Sequence, residues 1–299
     1  MSAINGLVSV IMPVCNGGDL LPLALQSITT QDYPDLEVIA IDDGSVDDSA
    51  QILETCVAAG EGRLKVLTHP GRQRRGIAAS YRLGLEHCRG EYIAFLEQDD
   101  MWPTHKISAQ MSIFTTFPEV GVVFSEVYTC DAEGCISTKS YSPLVNRPPT
   151  ERPFRAFWQL LWGNCVCTFS NFMVRAHQIH PDDIIAEPAG FQDWMLLLLL
   201  SRRCQFYFCH STQTFWRQRP ESYFAQLSQR PKFRRTRKLA LRQALEKLCA
   251  DRAESVYPLY TGPCARLYWD VVIALLSALE GTACWVRPGI GVQLAGKEA

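Results

Sequence analysis

The sequence predicts an α/β fold with a Rossmann-like, mainly parallel sheet flanked by helices. Short apolar runs typical of buried strands alternate with longer segments whose apolar residues recur at helical spacing. That alternation implies crossover connections, which produce parallel strands covered by helices on both faces. The chain of 299 residues is also long enough to bury a substantial core.

Strands and helices alternate regularly in the amino-terminal third of the chain. Because ligands of parallel sheets bind beyond the carboxyl ends of the strands, the residues that follow each strand are the candidate site. The predicted strands are Val8 to Met12, Leu36 to Ile41, Leu64 to Leu67 and Tyr92 to Leu96, and the helices are Leu20 to Thr30, Asp47 to Ala59 and Ile77 to Cys88.

The order of elements is less regular further along the chain. A soft domain boundary is expected near Gln226, where the composition shifts towards a basic helix, and the segment from Gly289 to Ala299 is expected to be a loose tail. The other predicted elements are helices at Pro103 to Phe117, Pro153 to Trp162, Phe191 to Ser201 and Arg266 to Leu279, and strands at Val120 to Val127, Cys167 to Val174, Gln205 to Phe208 and Thr212 to Trp216.

The composition is that of an ordinary globular protein. Hydrophobic residues make up 47% of the chain and charged residues 20%, and the net charge of -2 gives no global attraction to nucleic acid. The amino terminus has no basic segment before its apolar stretch, so we expect no secretory signal and a cytoplasmic protein. No apolar stretch approaches the roughly 20 residues needed to span a membrane.

Three carboxylates follow the fourth predicted strand, in the segment GEYIAFLEQDDMW. If this segment is extended, Glu97 and Asp99 face one point in space while Gln98 and Asp100 face away. Two acids that converge on one point usually require a cation. The alternative interpretation is a solvated acidic turn that caps the next helix.

The other three strands are also followed by polar clusters, at Pro13 to Asn16, Asp42 to Ser45 and Arg72 to Gly76. Four clusters on one edge favour a ligand site, although a lone Asp-Asp-Gly-Ser is usually a turn leading into a helix. A Mg2+ or Mn2+ ion held by carboxylates beside such a sheet most often neutralises a diphosphate. Since neither a Gly-x-Gly-x-x-Gly motif nor a usable P-loop is present, the favoured ligand is a nucleotide held through a metal.

Ordered motifs along the chain resemble the family 2 glycosyltransferases. The resemblance covers residues 7 to 126, and it resumes at Gln192-Asp193-Trp194 and at Trp216 to Ser222. It implies a GT-A fold and an inverting enzyme that uses a nucleotide-sugar donor and a divalent metal. The motifs that carry it are Val8 to Gly17, Ser27-Ile28, Gln31 to Tyr33, Glu37 to Ile39, Asp42 to Asp47 and Gly90 to Leu96 ahead of the acids.

The resemblance implies roles for individual residues of the site. Asp43 would meet the nucleobase, and Asp193 would be the general base that takes a proton from the acceptor hydroxyl. Apart from the resemblance, Asp193 is better explained as a carboxylate that complements the dipole of its helix. The other candidates for donor binding are Pro13, Val14, Cys15, Asn16, Arg75, Gly76, Glu97 and Asp99.

For the metal, the resemblance points to Glu97 and Asp99, with Asp100 as a further ligand if the chain turns at Gln98. Glu97 departs from the aspartate of the family, since it is longer by one methylene, but it keeps the charge. The predicted cofactor is Mg2+ or Mn2+, because these ions prefer oxygen ligands.

Two other positions depart from the family pattern. Cys15 replaces the usual aromatic residue before Asn16. The family's Ala-Arg-Asn-x-Gly is present as Ser80-Tyr81-Arg82-Leu83-Gly84, so the arginine is one place late and would point off a different helix face. Arg74 and Arg75 could supply the positive charge instead, although a basic surface loop is the plainer explanation.

The chain is therefore expected to be a glycosyltransferase in polysaccharide or glycolipid synthesis, with UDP or dTDP as the favoured donor nucleotide. We predict a GT-A catalytic domain over residues 1–226, with a nucleotide half at about 7–126 and an acceptor half at about 127–226, and a helical region over 227–299. One alternative is a sugar nucleotidyltransferase, which would normally carry a lysine in the loop after the first strand. The other is a degenerate family member that binds nucleotide-sugar or a partner without turnover.

A basic segment from Arg230 to Arg242 contains seven Lys or Arg residues and no acid. Most such runs are solvated helix faces or pack against their own domain. Two functional interpretations remain: attraction to anionic lipid headgroups near a membrane-borne acceptor, and direct binding of an acidic acceptor. Nucleic acid is a poor third, so peripheral membrane contact is the hypothesis that we carry forward.

Overall fold

The structure, a computed structural model, describes residues 3–59, 62–131, 133–140, 151–219, 222–229 and 231–250. The helix predicted at Arg266 to Leu279 and the predicted tail lie outside these residues. The strands are β1 Ile4–Val14, β2 Leu36–Asp42, β3 Leu64–Thr68, β4 Gly90–Phe95, β5 Val120–Cys130, β6 Ile136–Ser140, β7 Phe172–Arg175 and β8 Gln205–Arg217. The helices are α1 Leu21–Thr29, α2 Ser49–Ala59, α3 Ile77–His87, α4 Lys106–Thr116, α5 Phe157–Trp162, α6 Gln192–Arg203, α7 Tyr223–Ser228 and α8 Phe233–Ala250.

The strands form an eight-stranded sheet in the order β3-β2-β1-β4-β7-β5-β6, and β8 pairs with β5. Strands β1 to β4 run parallel to one another, and β8 runs parallel to β5. Strand β7 is antiparallel to β4 and β5, and β6 is antiparallel to β5. The predicted α/β class, with a mainly parallel sheet flanked by helices, is confirmed.

Successive side chains along the central strands enter two different cores, because side chains alternate between the faces of a sheet. Val10 and Met12 of β1 pack on one face with residues of α1, α2 and α4, and Ile11 packs on the other with residues of α3, α5, α6 and α8. At Gly84 of α3 a Cβ would lie 2.4 Å from Ile11 Cγ2, so glycine permits the close approach of this helix. Both faces are covered, which explains the nearly continuous apolar strands.

Parallel pairing places the ends of the first four strands at one edge of the sheet. Val14 pairs with Asp42, and Asp42 pairs with Thr68. Strand β4 ends at Phe95 beside β1. The antiparallel β7 begins where β4 ends, so the segment that precedes Phe172 lies at this edge as well. The site is therefore assembled from both halves of the chain.

Two strands predicted near the end of the described residues are one strand. The segments Gln205 to Phe208 and Thr212 to Trp216 both belong to β8, whose pairing with β5 shifts register between Cys209 and Gln213. Such a bulge leaves residues unpaired without ending the strand, and it interrupts the alternation on which sequence patterns depend. The strand predicted to begin at Cys167 starts only as β7, after a 3-10 turn.

The basic segment forms helix α8, which packs against the rest of the chain. Ala240, Leu241, Ala244 and Leu245 are buried in the same core as α6. This packing is one of the alternatives expected for the segment, and the domain boundary near Gln226 stays a prediction. Among the described helices, none is both long enough and apolar enough to cross a membrane.

A lysine is buried close to the acidic edge of the sheet. Lys106, at the start of α4, has no exposed surface. Its Nζ donates to Gln110 Oε1 at 2.8 Å and lies 4.5 Å from the centre of the Trp102 ring. Burial lowers the pKa of Lys106 to about 7, because a charged amine loses its hydration there. The fold therefore contains a buried amine whose protonated form is unfavourable.

We expect Lys106→Met to raise the free energy of unfolding, and to raise it more at about pH 7 than at about pH 9. The amine of the unfolded chain, with a pKa of 10.5, keeps its proton over this range, whereas the folded amine loses it above about 7. Wild-type stability therefore rises relative to the variant with pH, by at most about 1.4 kcal/mol per unit. Urea unfolding across this range measures the difference, with the exposed Lys65→Met as control. A difference independent of pH would contradict a neutral buried amine.

Candidate active site

Hydrogen bonds join the loops after β1 and β2 at the carboxyl edge of the sheet. Asn16 has a φ of 54°, a left-handed conformation that asparagine tolerates better than most residues. Its Oδ1 accepts the N–H of Val46 at 2.9 Å. The N–H of Gly18 donates to Asp47 Oδ2 at 3.0 Å. These contacts hold the first two polar clusters together.

Asp43 holds the loop that follows β3. Its two carboxylate oxygens accept the N–H groups of Arg75 at 2.6 Å and Gly76 at 2.8 Å, and its Oδ1 lies 3.6 Å from His69 Nε2. The loop passes over Gly44, where a Cβ would lie 2.9 Å from a carbonyl oxygen of the loop. Gly44 also has a φ of 71°, so both space and conformation require glycine there. Asp43 thus fixes the shape of the loop after β3.

Residues Glu97 to Asp100 form a turn, because the N–H of Asp100 donates to the Glu97 carbonyl oxygen at 3.1 Å. Of the two conformations considered, the segment therefore adopts the turn at Gln98 and not the extended one. Gln98 fixes the turn against the loop after β1: its Oε1 accepts the N–H of Cys15 at 2.7 Å, and its Nε2 donates to the Cys15 carbonyl oxygen at 3.1 Å. The side chain of Gln98 thus continues the pairing of β4 with β1 beyond the strands.

Each carboxylate of this turn contacts a donor from the second half of the chain. Asp100 is fully buried, and its Oδ2 has no hydrogen-bond partner among the described residues. Ser170 adds a further contact, since its Oγ accepts the N–H of Glu97 at 3.0 Å. The donor and acceptor pairs are Thr168 Oγ1 to Glu97 Oε2 (3.0 Å), Arg217 N to Asp100 Oδ1 (2.9 Å) and Arg219 Nη2 to Asp99 Oδ2 (2.7 Å).

Burial and mutual repulsion both act against ionised carboxylates at this edge. Burial raises the pKa of Glu97 well above its usual range, and the charges of Asp100, Asp99 and Asp193 raise it further. Burial also raises the pKa of Asp100 to about 8, with the charge of Asp99 as the next cause. The four acids therefore share one poorly hydrated region, where a cation would be strongly attracted.

Asp193 lies in the first turn of α6. Asn164 Nδ2 donates to Asp193 Oδ2 at 2.6 Å, and the N–H of Trp194 donates to Oδ1 at 2.7 Å. Asn164 is itself held, since its Oδ1 accepts the N–H groups of Val166 and Cys167, both at 3.0 Å. Burial raises the pKa of Asp193 to about 7, and the two hydrogen bonds oppose that rise. An oriented carboxylate with such a pKa suits general base catalysis.

Arg82, which lies one position later than the arginine of the family pattern, is hydrogen-bonded away from the acids. Arg82 Nε and Nη2 both donate to the carbonyl oxygen of Ile184, at 3.0 and 2.5 Å. Tyr81 stands where the family pattern has its arginine. The centres of the Tyr81 and Phe169 rings are 4.2 Å apart, and within the described part of the chain the buried Tyr81 hydroxyl has no hydrogen-bond partner. Positive charge at the site must therefore come from another residue.

The structure places the predicted donor-binding residues at one edge of the sheet. Pro13 and Val14 are buried at the end of β1, Cys15 is half-buried, and Asn16 and Arg75 are exposed. The three predicted metal ligands do not form a ready-made site, since the described ranges contain no group of three His, Cys, Asp or Glu residues arranged to hold an ion. The roles of all these residues stay predictions.

The residues that hold the acids could not be found from the sequence, with one partial exception. Thr168 and Ser170, like Asn171, are polar residues inside a mostly apolar stretch, which indicates that a buried polar contact needs them. Asn164 carries no such signal. Arg217 and Arg219 lie in the segment Trp216 to Ser222, which the family resemblance marks without indicating their contacts with the acids. Arg219 contacts Asp99 across 120 positions of the chain, so the pair exists only because the fold brings β8 to this turn.

Solved structures establish the class of fold. Staphylococcus aureus TarS 1–349 in complex with UDP-GlcNAc matches with a TM-score of 0.65 at 15% identity, over 91% of this chain and 71% of that chain. The mannosyltransferase from Pyrobaculum calidifontis in complex with GDP-Man and Mn2+ matches with a TM-score of 0.55 at 19% identity, over 93% of this chain and 76% of that chain. The fold is therefore that of the GT-A glycosyltransferases.

The sequence comparison identifies the family within that class. The profile of glycosyl transferase family 2 matches residues 9–177, and the chain belongs to this family. The resemblance noted in its motifs is thus confirmed.

Two curated relatives illustrate how far the similarity extends. An uncharacterised glycosyltransferase of Haemophilus influenzae is 35% identical over 128 residues, which are 43% of this chain and 50% of the relative. A UDP-Glc:alpha-D-GlcNAc-diphosphoundecaprenol beta-1,3-glucosyltransferase of Escherichia coli is 32% identical over 108 residues, 36% of this chain and 40% of the relative. The chain spans half or less of the length of these two relatives.

Proposed function

We propose that the protein is an inverting glycosyltransferase that moves a sugar from a UDP or dTDP donor to a hydroxyl of a glycan or lipid-linked acceptor. The observation that carries the proposal is the arrangement at one edge of the sheet. Three features lie there: the loop after β3 that Asp43 holds, the turn from Glu97 to Asp100 (the acidic turn), and the oriented carboxylate of Asp193. Two related proteins support it: TarS was solved with UDP-GlcNAc, and the Escherichia coli relative is named for UDP-Glc and a diphosphoundecaprenol-linked GlcNAc. A role in polysaccharide or cell-envelope synthesis agrees with such acceptors.

A divalent cation fits the chemistry of the acidic turn. Mg2+ or Mn2+ bound with a nucleotide takes one or two carboxylates, and phosphate oxygens and water complete its shell. Glu97 and Asp99 offer such carboxylates, and Asp100 Oδ2 is a further oxygen that lacks a hydrogen-bond partner in the described ranges. A bound cation would neutralise the charge that develops on the departing diphosphate. The Pyrobaculum structure, which contains Mn2+, supports metal use in this fold.

Asp193 is the proposed general base. Removal of the acceptor hydroxyl proton by Asp193 makes that oxygen nucleophilic towards the anomeric carbon of the donor sugar. The new glycosidic bond forms as the bond to the diphosphate breaks, so attack from the opposite side inverts the anomeric configuration. Asn164 holds the carboxylate in place and favours its ionised form. The diphosphate leaves on the side of the acidic turn.

The acceptor side is proposed to contact a membrane surface. Helix α5 exposes two tryptophans, Trp158 with 60% and Trp162 with 41% of their surface accessible. Arg237 Nη2 donates to the Trp162 carbonyl oxygen, so α5 meets α8 at this point. Tryptophan beside exposed basic residues suits the interface of an anionic bilayer, where a lipid-linked acceptor would be found. The exposed basic residues here include Arg235 and Lys238 of α8, and Lys232 just before it.

Calorimetric titration with UDP, dTDP and GDP, each with and without Mn2+, tests the donor assignment. We expect one of the first two nucleotides to bind tightly only with the metal. Asp99→Ala should weaken that binding by about tenfold or more, because a charged ligand of the cation is lost. The exposed Asp35→Ala is the matched control and should bind like the wild type. Absence of binding by all three nucleotides would overturn the donor assignment.

Asp193→Asn should abolish transfer and keep nucleotide binding. In the wild type the transfer rate should rise with pH through about 7, where Asp193 becomes ionised. Asn164→Ala should move this rise to higher pH, because the lost hydrogen bond favours the ionised carboxylate. Sugar transfer measured across pH, with UDP binding measured in parallel, gives both results. Equal activity of Asp193→Asn would exclude it as the base, and wild-type binding without turnover would favour a degenerate family member.

Replacing both exposed tryptophans of α5 by serine should weaken vesicle binding by about tenfold, because two large apolar side chains no longer enter the interface. Co-sedimentation with phosphatidylglycerol vesicles measures the loss, and phosphatidylcholine vesicles should bind weakly throughout. Leu23→Ser, at a residue of α1 with 43% exposure, is the control for an exposed apolar side chain elsewhere. Equal binding of the double variant and the wild type would contradict the membrane proposal.

A further inference from the structure

Arg219 is paired with Asp99, one of the carboxylates proposed to hold the metal. Arg219 Nη2 lies 2.7 Å from Asp99 Oδ2, with 29% and 17% of the two side chains exposed. A contact of this length between partly buried groups is a charge-assisted hydrogen bond. A cation that takes the same carboxylate oxygen must displace the arginine, because two positive groups repel each other at such a distance.

The guanidinium of Arg219 has capacity for a second anionic partner. Its Nε is buried and has no hydrogen-bond partner within the described part of the chain. A buried N–H without an acceptor is unfavourable. The planar fork of arginine matches the oxygens of a phosphate group, which can accept two N–H groups at once. A diphosphate beside Asp99 would therefore satisfy Arg219 better than Asp99 alone.

The neighbouring Arg217 has a different, structural role. It is buried, its Nε donates to the Asp99 carbonyl oxygen at 3.0 Å, and its Nη1 donates to the Asp131 carbonyl oxygen at 2.6 Å. These contacts hold two backbone carbonyl groups in place, so moving the Arg217 side chain would disturb the turn. Arg82 is committed to a carbonyl oxygen away from the acids. Arg219 is thus the arginine of this turn that can change partner without dismantling the fold.

We propose that Arg219 and the divalent cation compete for Asp99, and that Arg219 passes to the donor diphosphate when the metal-bound nucleotide enters. The proposal rests on the donor and metal assignment made above. In the free enzyme the arginine neutralises Asp99 and weakens metal binding. The diphosphate then offers the arginine an anionic partner and releases Asp99 to the cation. Metal and nucleotide consequently strengthen each other's binding through one side chain.

Binding of Mn2+ alone, measured by calorimetry and by electron paramagnetic resonance, tests this exchange without any turnover. We expect wild-type protein to bind Mn2+ weakly, and saturating UDP to tighten that binding by about tenfold or more. Arg219→Ala should bind Mn2+ alone about tenfold more tightly, because the competing cation is gone. The same variant should bind UDP more weakly without metal, and UDP should tighten its Mn2+ binding less than in the wild type.

Two further variants make the outcome interpretable. Arg219→Lys keeps a positive charge but loses the fork, so it should retain competition with Mn2+ and lose part of the coupling to UDP. Arg63 is exposed and lies just before the edge strand β3, so Arg63→Ala should behave like the wild type. Thermal unfolding checks that each variant is folded. If folded Arg219→Ala binds Mn2+ no more tightly than the wild type, the exchange is overturned. The proposed function still stands in that case if the wild type binds UDP. Wild-type protein that binds neither Mn2+ nor any of UDP, dTDP and GDP overturns both.

Discussion

The gathering of four carboxylates in one partly buried region is the constraint on which the rest of this structure depends. Burial raises the pKa of Glu97 well above its usual range, and the charges of the neighbouring acids raise it further. The acids are tolerated because separate segments deliver one donor to each of them. The segments are the loop before β7, with Asn164 and Thr168, and the end of β8, with Arg217 and Arg219.

The reversed direction of β7 makes this arrangement possible. In a wholly parallel sheet, the residues that follow each strand line the ligand edge. Because β7 runs antiparallel between β4 and β5, the residues that precede it lie there instead. The loop before β7 can therefore contact both the acidic turn, through Thr168 and Ser170, and the proposed base, through Asn164. One reversed strand links the acidic turn and the proposed base.

Several buried polar groups at this edge lack the hydrogen bonds that would stabilise them. Among the described residues, the Asp100 Oδ2, the Tyr81 hydroxyl and the Arg219 Nε are buried without hydrogen-bond partners. A fold shaped by stability alone would satisfy or remove such groups, since each is unfavourable by about 1–3 kcal/mol. Unsatisfied polar groups concentrate at functional sites, where a charged ligand takes part in the final hydrogen bonding. Two more such atoms in the described residues, Thr212 Oγ1 and Gln243 Oε1, belong to β8 and α8, so the three at this edge are the ones that agree with a bound diphosphate and cation.

The sequence by itself determined the α/β class, the first four strands with the helices between them, and the edge where their polar clusters lie. These follow from local periodicity and from the geometry of parallel pairing, which act over a few residues at a time. The motifs were sufficient to single out Asp43, the acidic turn and Asp193. Only the tertiary structure decided that the acids form a turn, because the pairing of Gln98 with Cys15 sets its shape. Likewise, the partners of the acids and the raised pKa of Asp193 arise from burial and from contacts between segments far apart in the chain, and no local pattern records such contacts.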